Sequence, residues 1–146
     1  MIDPYDFQNL TLPDVAEYER AKAGHIYPTG TSTLQISATR GQIGFLKQPS
    51  EVATKDVAII PIAGVNPRYL NIVLQKNIQQ FMNVFATGIN IQFDELANFQ
   101  VQLHNSETQA AIAQLFSNLD DKIEVGIQID QQLKNQKQWM LSKMFI

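Results

Sequence analysis

Few side chains in this sequence could carry out catalysis. The two histidines, His25 and His104, have nothing near them at metal-ligand spacing, and we expect both to lie on the surface. Asp120 and Asp121 form a pair of carboxylates, but adjacent residues on an extended helix usually belong to a solvated face. The sequence has no cysteine, which excludes thiol catalysis, disulfides and cysteine zinc sites. These residue types therefore indicate no catalytic or metal site.

Two short motifs are better explained by local structure than by chemistry. Residues 66–69 read Asn-Pro-Arg-Tyr, close to the Asn-Pro-Pro-Tyr with which amino-methyltransferases hold a flipped base. Arg68 replaces a proline, and no glycine-rich turn after a strand offers a cofactor site, so we interpret the motif as a helix start. Gly41 and Gly44 have the spacing of the loop that clamps the backbone of nucleic acids in KH domains. They lie between strand-like segments and predict a tight turn instead.

The polar part of the composition consists largely of amides. The chain has 17 Gln and 10 Asn, and only 17% of its residues are charged. Amides can read adenine edges in DNA, although compositional drift explains them as well. The formal charge of −3 gives no basic footprint for nucleic acid, and neither part of the chain does. Residues 1–105 hold 7 Lys+Arg against 9 Asp+Glu, and residues 106–146 hold 4 against 5, so DNA binding would need a local patch or a basic partner.

Length and hydropathy indicate one ordinary domain with an appendage. The chain has 146 residues, and no apolar run approaches the roughly 18 residues of a membrane span. No segment has the pattern of a signal peptide. We expect a cytoplasmic protein, with which the absence of cysteine is compatible.

The first 105 residues mix helix and strand signals, which predicts an α+β fold. A capping box at Asp14 and Glu17 predicts a short helix that ends at Gly24. The patterns TLQIS and DVAIIPI indicate strands, and Pro61 confines the second to a sheet edge or to its own end.

A longer helix and two further strands follow. Asn66 and Pro67 cap and start the helix, and its apolar stripe consists of Leu70, Val73, Leu74, Ile78, Phe81 and Phe85. Gly88 ends the helix, and INIQF and FQVQL then alternate as half-buried strands.

The last segment has the pattern of one long helix. Ser106 and Gln109 form a capping box, and only Gly126 interrupts the 39 residues up to Met144, which would span roughly 58 Å. Ile112, Phe116, Leu119 and Ile123 follow the 4-3-4 spacing of a coiled-coil seam, and a second apolar cluster consists of Ile129, Leu133, Met140 and Met144. Between the two sets the seam is imperfect, because Gly126 and Asp130 occupy positions where an apolar residue is expected. A body of about 105 residues cannot cover such a stripe, so we expect residues 106–146 to project and to pair with a second helix through these apolar side chains.

Several blocks carry a family resemblance. They are LQISATRGQIGFL, VNPRYLNIVLQ and ATGINIQFDELANFQVQL, followed by a C-terminal block with Leu119, Asp120 and Ile123 and with Leu141, Met144 and Phe145. In this order, over residues 25–146, they resemble the specificity subunits of bacterial type I restriction-modification systems. The family usually has a proline-rich stretch before the conserved helix, where this chain reads LHNSETQ. A full subunit has two recognition domains and two helices, whereas this chain resembles a half-subunit.

The resemblance implies a target recognition domain over residues 1–105, shortened at the front, and a conserved spacer helix over 106–146. It implies a non-catalytic chain that homodimerises through antiparallel helices and reads a bipartite palindromic site. Its partners would be double-stranded DNA, methyltransferase subunits and, through them, the restriction subunit. AdoMet would be bound by the methyltransferase subunits only, and this chain would need no cofactor and no metal.

In this family, loops of the recognition domain enter the DNA grooves. The resemblance therefore implies DNA contacts from two polar loops: Thr29, Thr31, Ser32, Thr33, Arg40, Gln42 and Lys47. Arg40 would contact guanine or phosphate and Gln42 adenine, while Arg68 and Lys76 are weaker candidates for phosphate. A turn hydrogen bond or a surface charge is the alternative reading of each. The alternative function is a protein-interaction or regulatory fragment that binds restriction-modification subunits through its helix without reading DNA.

Overall fold

The computed structural model describes residues 3–124 and 131–144. It has an α+β fold, as the sequence predicts. In chain order the elements are β1 (Phe7–Thr11), α1 (Leu12–Val15), β2 (Ala16–Arg20), β3 (Ser32–Gln35), β4 (Ile43–Phe45), β5 (Asp56–Pro61), α2 (Pro67–Phe85), a 3-10 helix (Phe93–Asn98), β6 (Gln100–His104), α3 (Ser106–Glu124) and α4 (Gln131–Met144).

Four strands form an antiparallel sheet in the order β2-β5-β3-β4. The strands predicted at TLQIS and DVAIIPI are confirmed as β3 and β5. Pro61 is tolerated in the central strand β5 because it is the last residue there, opposite Ala16. At the other end of β5, Asp56 pairs with Gln35. The loop that follows β3 and the residue after Pro61, Ile62, therefore lie at opposite ends of this sheet.

Helix α2 covers one face of the sheet and starts as predicted. The Asn66 side chain accepts a hydrogen bond from the backbone N–H of Tyr69 at 3.0 Å, and Pro67 takes the first position. The main core joins α2 to the sheet through buried apolar side chains, which include Leu34, Val57, Ile59, Leu70, Val73, Leu74, Ile78 and Phe81. The predicted stripe of α2 is therefore its buried face.

A second, two-stranded sheet pairs β1 with β6, where Phe7 lies opposite His104. FQVQL is thus confirmed as a strand. On the outer edge of β6, side chains of α2 take the place of another strand. The Tyr69 hydroxyl donates to the carbonyl of Gln102 at 2.6 Å, and the Asn77 amide donates to the carbonyl of Gln100 at 2.9 Å.

The helix predicted from Asp14 to Gly24 is wrong. The capping signals exist but lie three residues earlier, where the backbone N–H of Thr11 donates to the Asp14 carboxylate at 3.1 Å. The helix has only four residues, because the next five join β5 as strand β2. Ladder hydrogen bonds along five residue pairs outweigh a local preference of this size.

The strand predicted at INIQF is also wrong. Ile89 is 64% exposed while Ile91 is 3% exposed, so the alternating residues do not share a buried face. Thr87 and Asn90 instead exchange backbone hydrogen bonds across a tight turn. A 3-10 helix follows from Phe93 to Asn98.

The single long helix predicted from Ser106 to Met144 is wrong, since two helices occupy this range. Lys137 Nζ lies 2.6 Å from Asp120 Oδ1. A straight helix would separate residues 17 positions apart by about 25 Å, so α4 must fold back beside α3. The cap also differs: the Asn105 side chain, not Ser106, accepts from the backbone N–H of Thr108 at 2.8 Å.

The face of α4 that meets the body has helical spacing. Met140 is 8% exposed and belongs to the main core together with Phe116 and Leu119. Leu141 and Met144 pack against the same core. The described residues of the stripe that is expected to pair with a second helix are thus covered within the chain.

Candidate nucleic-acid interface

The loop between β3 and β4 is held by its own polar groups. The side-chain oxygen of Gln42 accepts hydrogen bonds from the Arg40 backbone N–H at 2.7 Å and from the Thr39 hydroxyl at 3.1 Å. The Thr39 oxygen in turn accepts from the backbone N–H of Gly41 at 2.9 Å. The loop therefore has a fixed shape, as the tight-turn interpretation of this segment predicts.

The same loop is fastened to α2. The Gln79 amide donates to the carbonyl of Arg40 at 3.2 Å. Gly41 has a φ of +84°, and a Cβ there would lie 2.9 Å from both Ile78 and Met82 of α2. The loop lies directly on the helix, which leaves the exposed Arg40 on a rigid support.

Gln42 is exposed, but its amide oxygen already accepts two hydrogen bonds within the loop. A bidentate contact with adenine needs both the oxygen and the nitrogen of the amide. Thr33 is similarly engaged, since its hydroxyl oxygen accepts from the backbone N–H of Gly44 at 3.1 Å. Arg40 is thus better placed for DNA than either of these residues.

The first polar loop differs from the expectation at two positions. Thr31 and Ser32 are fully buried, and both hydroxyls have internal partners. The Thr31 hydroxyl donates to the carbonyl of Pro28 at 2.8 Å, and Ser32 accepts from the Asn71 amide at 3.1 Å. Neither side chain has surface with which to touch DNA in this structure. Thr29, in contrast, is exposed.

Lys47 is exposed and lines a cleft of about 390 Å³ between β4, α2, α3 and α4. Arg68 and Lys137 lie in the same cleft, and both contact the carboxylate of Asp120. The Arg68 guanidinium also stacks over the Phe45 ring, 5.4 Å from its centroid. Asp120 is therefore an ion-pair partner and not part of a solvated face.

The position of the Arg68 side chain is explained by its contacts within the chain, without a role for DNA. Its Nη1 approaches the Asn71 side-chain oxygen at 3.4 Å, to which the Gln75 amide also donates at 2.6 Å. Burial, with a smaller effect of Arg68, lowers the pKa of the Lys137 ammonium from its ordinary value. Arg68 is half-buried in this network, so its expected role in binding phosphate is not supported by its placement. The Lys76 side chain is also half-buried.

Of the residues predicted to form a dimer interface, those whose side chains the structure describes lie mainly in the chain's own core. Ile112 and Phe116 are 1% exposed, Leu119 is 6% exposed and Met140 is 8% exposed, while Met144 is half-buried. Ile129 lies outside the described residues, and so do the side chains of Ile123 and Leu133.

His104 is buried, which corrects the expectation of a surface histidine. Its Nδ1 lies 2.5 Å from the Tyr69 hydroxyl, and its Nε2 lies 3.1 Å from the carbonyl of Pro4. Burial raises the pKa of Tyr69. These contacts fasten the start of the chain to β6 and α2, so His104 has a structural role.

Within residues 3–124 and 131–144, no three or more histidine or acidic side chains gather as a metal site would require. No helix in the same ranges is long and apolar enough to cross a membrane.

Comparison with known proteins identifies the family. The model of the type I restriction modification DNA specificity domain matches residues 7–135. The chain belongs to this family. A similar curated protein is the type I restriction enzyme HindI specificity subunit of Haemophilus influenzae, 31% identical over 102 residues, which are 65% of this chain and 22% of that subunit.

Solved structures of specificity subunits share the fold of the chain. The S subunit from M. genitalium has a TM-score of 0.70 at 11% identity, over 85% of this chain and 43% of that one. The HsdS subunit from Thermoanaerobacter tengcongensis has a TM-score of 0.61 at 12% identity, over 99% of this chain and 46% of that subunit. A chain from a study of type I R-M complex assembly has a TM-score of 0.67 at 12% identity, over 99% and 47%. The chain thus spans about half the length of these solved relatives and about a fifth of the curated one.

Proposed function

We propose that this chain is a DNA sequence-recognition domain of a cytoplasmic type I restriction-modification system. The observation that carries the proposal is the family match over residues 7–135. The rigid loop that presents Arg40 at the end of the four-stranded sheet supports it, since base contacts need a side chain held in fixed position. Thr29 and Lys47 are also exposed, but they lie beyond the Ser32–Phe45 pair, at the opposite end of this sheet, so we do not assign them to the surface of Arg40.

The proposed role is recognition within a complex, without a catalytic step in this chain. The formal charge of −3 provides little attraction to phosphates, so most of the electrostatic affinity would come from partners. Methyltransferase subunits would supply that charge, bind AdoMet and flip the target base, and would connect the chain to the restriction subunit. Alone, the chain should bind DNA weakly and with a shallow dependence on salt.

Selection from a random duplex pool tests this role. We expect the chain with its methyltransferase subunits to enrich a defined sequence, and Arg40→Ala to lower the affinity for that sequence about tenfold if Arg40 contacts guanine. Lys143→Ala, which removes an exposed cation from α4 instead of from the sheet or its loops, is the matched control. Binding to the methyltransferase subunits without enrichment of any sequence would reject DNA reading and favour the protein-interaction alternative.

We further propose that two copies assemble through α3 and α4 to read a bipartite palindromic site. The support is length: the chain covers 43–47% of the solved relatives, so two copies match one of them. Because α4 covers the α3 stripe within one chain, assembly requires α4 to make the same contacts on a second copy. Lys137 of each copy would then meet Asp120 of the other.

Charge reversal distinguishes this dimer from a monomer in which α4 packs on α3 of the same chain. Asp120→Lys and Lys137→Asp each place two like charges together, whether the contact lies within one chain or between two. A mixture of the two variants restores opposite charges only if α4 is exchanged. We expect the mixture, after joint refolding, to melt above either variant alone and to sediment as a dimer. A mixture that shows only the two separate transitions of monomers would rule out the exchanged dimer and leave the DNA-recognition role untouched.

A further inference from the structure

An exposed isoleucine lies at the tip of the turn beside the Arg40 loop. Thr87 N–H donates to the carbonyl of Asn90 at 2.8 Å, and Asn90 N–H donates to the carbonyl of Thr87 at 3.1 Å. Between them, Gly88 has a φ of +64° and Ile89 is 64% exposed. The turn therefore holds a β-branched apolar side chain out into solvent.

Three hydrogen bonds join this turn to the Arg40 loop and its strand. The backbone N–H of Ala38 donates to the Asn90 side chain at 3.0 Å, and that of Thr39 donates to the carbonyl of Ile89 at 2.7 Å. The N–H of Ile91 donates to the carbonyl of Ile36 at 2.8 Å. Residues 36–42 and 87–91 thus form one rigid unit, which we name the two-loop tip.

The two-loop tip combines a cation and an apolar group on adjacent backbones. Single exposed apolar residues are common and need no explanation by themselves. Here the isoleucine belongs to the same hydrogen-bonded unit as Arg40, and this unit rests on α2 through Gly41 and Gln79. An arginine and an aliphatic side chain that project from adjacent, fixed backbones fit a surface that offers acceptors and methyl groups side by side, as the major groove of DNA does.

We propose that Ile89 contacts the C5-methyl group of a thymine in the major groove, beside the base or phosphate that Arg40 contacts. The inference rests on the DNA-recognition role proposed above. Asn90 is a positioning residue, because its side-chain oxygen is used by Ala38 and holds the two loops together. The alternation of INIQF predicts a half-buried strand, in which Ile89 would not be available to DNA.

The test uses the full chain and the duplex enriched from the random pool, with each thymine replaced in turn by deoxyuridine, which lacks the methyl group. Ile89→Ala should weaken binding to the thymine duplex about 4-fold, the value of about one buried methyl group. One deoxyuridine position should weaken the wild type by a similar factor and should have no effect on Ile89→Ala. Such non-additivity between two sites indicates direct contact.

Ile62→Ala is the matched control, since Ile62 is another exposed isoleucine, 41% exposed, at the opposite end of the four-stranded sheet. It should bind both duplexes as the wild type does. If Ile89→Ala binds as tightly as the wild type while Arg40→Ala binds more weakly, the thymine contact is rejected and DNA recognition stands. The contact is likewise rejected if Ile89→Ala and every deoxyuridine act additively. Failure to enrich any duplex would overturn the recognition role and this inference together.

Discussion

Gly41 occupies the closest approach of the β3–β4 loop to α2. It has a positive φ, and a Cβ there would meet Ile78 and Met82 at 2.9 Å. Gly24 also has a positive φ, of +78°, but nothing lies within 4 Å of the place that its Cβ would take. The two glycines therefore separate the cost of the backbone conformation from the cost of the contact.

We predict that Gly41→Ala lowers the free energy of unfolding by about 2–4 kcal/mol and Gly24→Ala by about 1 kcal/mol. The difference arises because only the first alanine must displace side chains of a helix. Thermal denaturation of both variants measures it. Equal losses would mean that the loop does not rest on α2 as described.

Asp56 provides a prediction for pH. Its Oδ1 atom is buried and has no hydrogen-bond partner among the described residues. Burial raises the pKa of this carboxyl, against a smaller opposite effect of Lys55. A carboxyl with a raised folded-state pKa holds its proton more tightly in the folded chain. Its contribution to stability is complete below the unfolded pKa of about 3.9 and is lost as the pH rises through the folded value.

Asp56→Asn should therefore raise the melting temperature relative to the wild type at pH 7, and this gain should shrink as the pH falls towards 4. Melting curves at half-unit intervals would measure the effect. Glu17→Gln, which removes a carboxylate from an exposed side chain, is the control for net charge. Wild-type and Asp56→Asn curves that stay parallel over this range would contradict the prediction.

At the residue scale, the sequence predicts the loop of Arg40, but it does not predict which of the other polar candidates are buried and hydrogen-bonded within the chain. Thr29 and Thr31 are the same residue type in one polar stretch, yet one is exposed and the other is fully buried. The Thr31 hydroxyl donates to the nearby carbonyl of Pro28, and the next residue, Ser32, accepts from Asn71, which is distant in sequence. A threonine or serine can donate to a turn carbonyl or face solvent equally well, so composition alone does not distinguish these cases.

The N-terminus of α3 provides a prediction at the scale of an element. Asn105 makes two cap interactions, since its side chain accepts from Thr108 N–H at 2.8 Å and its carbonyl accepts from Gln109 N–H at 2.9 Å. Asn105→Ala should lower the free energy of unfolding by about 1 kcal/mol. Ser106→Ala should change it by less than about 0.5 kcal/mol, because Ser106 is an exposed first-turn residue. Denaturant titrations compare the two, and a larger loss for Ser106→Ala would restore the cap predicted from the sequence.

Elements with a strong local pattern were predicted well, and those decided by distant pairing were not. Asn66, Pro67 and the apolar stripe place α2 within its observed bounds. The segment AEYER carries helix signals and yet forms β2, because β5 offers five pairing positions. INIQF alternates as a strand should, but only Ile91 finds a buried site. Local preferences are worth tenths of a kcal/mol per residue, and tertiary pairing can exceed them.

At the scale of the whole molecule, α4 determines whether the α3 stripe is covered. Met140 faces the core, whereas its neighbour Trp139 is 59% exposed. We predict that Met140→Asp buries an unpaired charge, detaches α4 and lowers the melting temperature, while Trp139→Asp has little effect. Limited trypsin digestion followed by mass spectrometry would detect faster cleavage at Lys137 and Lys143 in the first variant only. Equal cleavage rates in both variants would show that α4 is not held by Met140.

The long helix was mispredicted for a reason that the sequence could not reveal. Heptad-like spacing predicts that an apolar stripe is buried against another helix, but it does not indicate whether that helix belongs to the same chain or to a partner. Residues 137, 140, 141 and 144 lie on one face of α4 and provide that cover within the chain. The same spacing would serve a partner's helix, which is why the charge-reversal pair is needed to separate the two arrangements.

The edge of β6 is closed by a hydroxyl and an amide instead of by another strand. Tyr69 and Asn77 satisfy the carbonyls of Gln102 and Gln100, so this small sheet stops growing at two strands on that side. Shortening both side chains would leave these two carbonyls without hydrogen-bond donors, and an extended peptide could then add to the sheet as a further strand. Tyr69 and Asn77 thus protect this edge from aggregation through strand pairing, a role separate from any part in reading DNA.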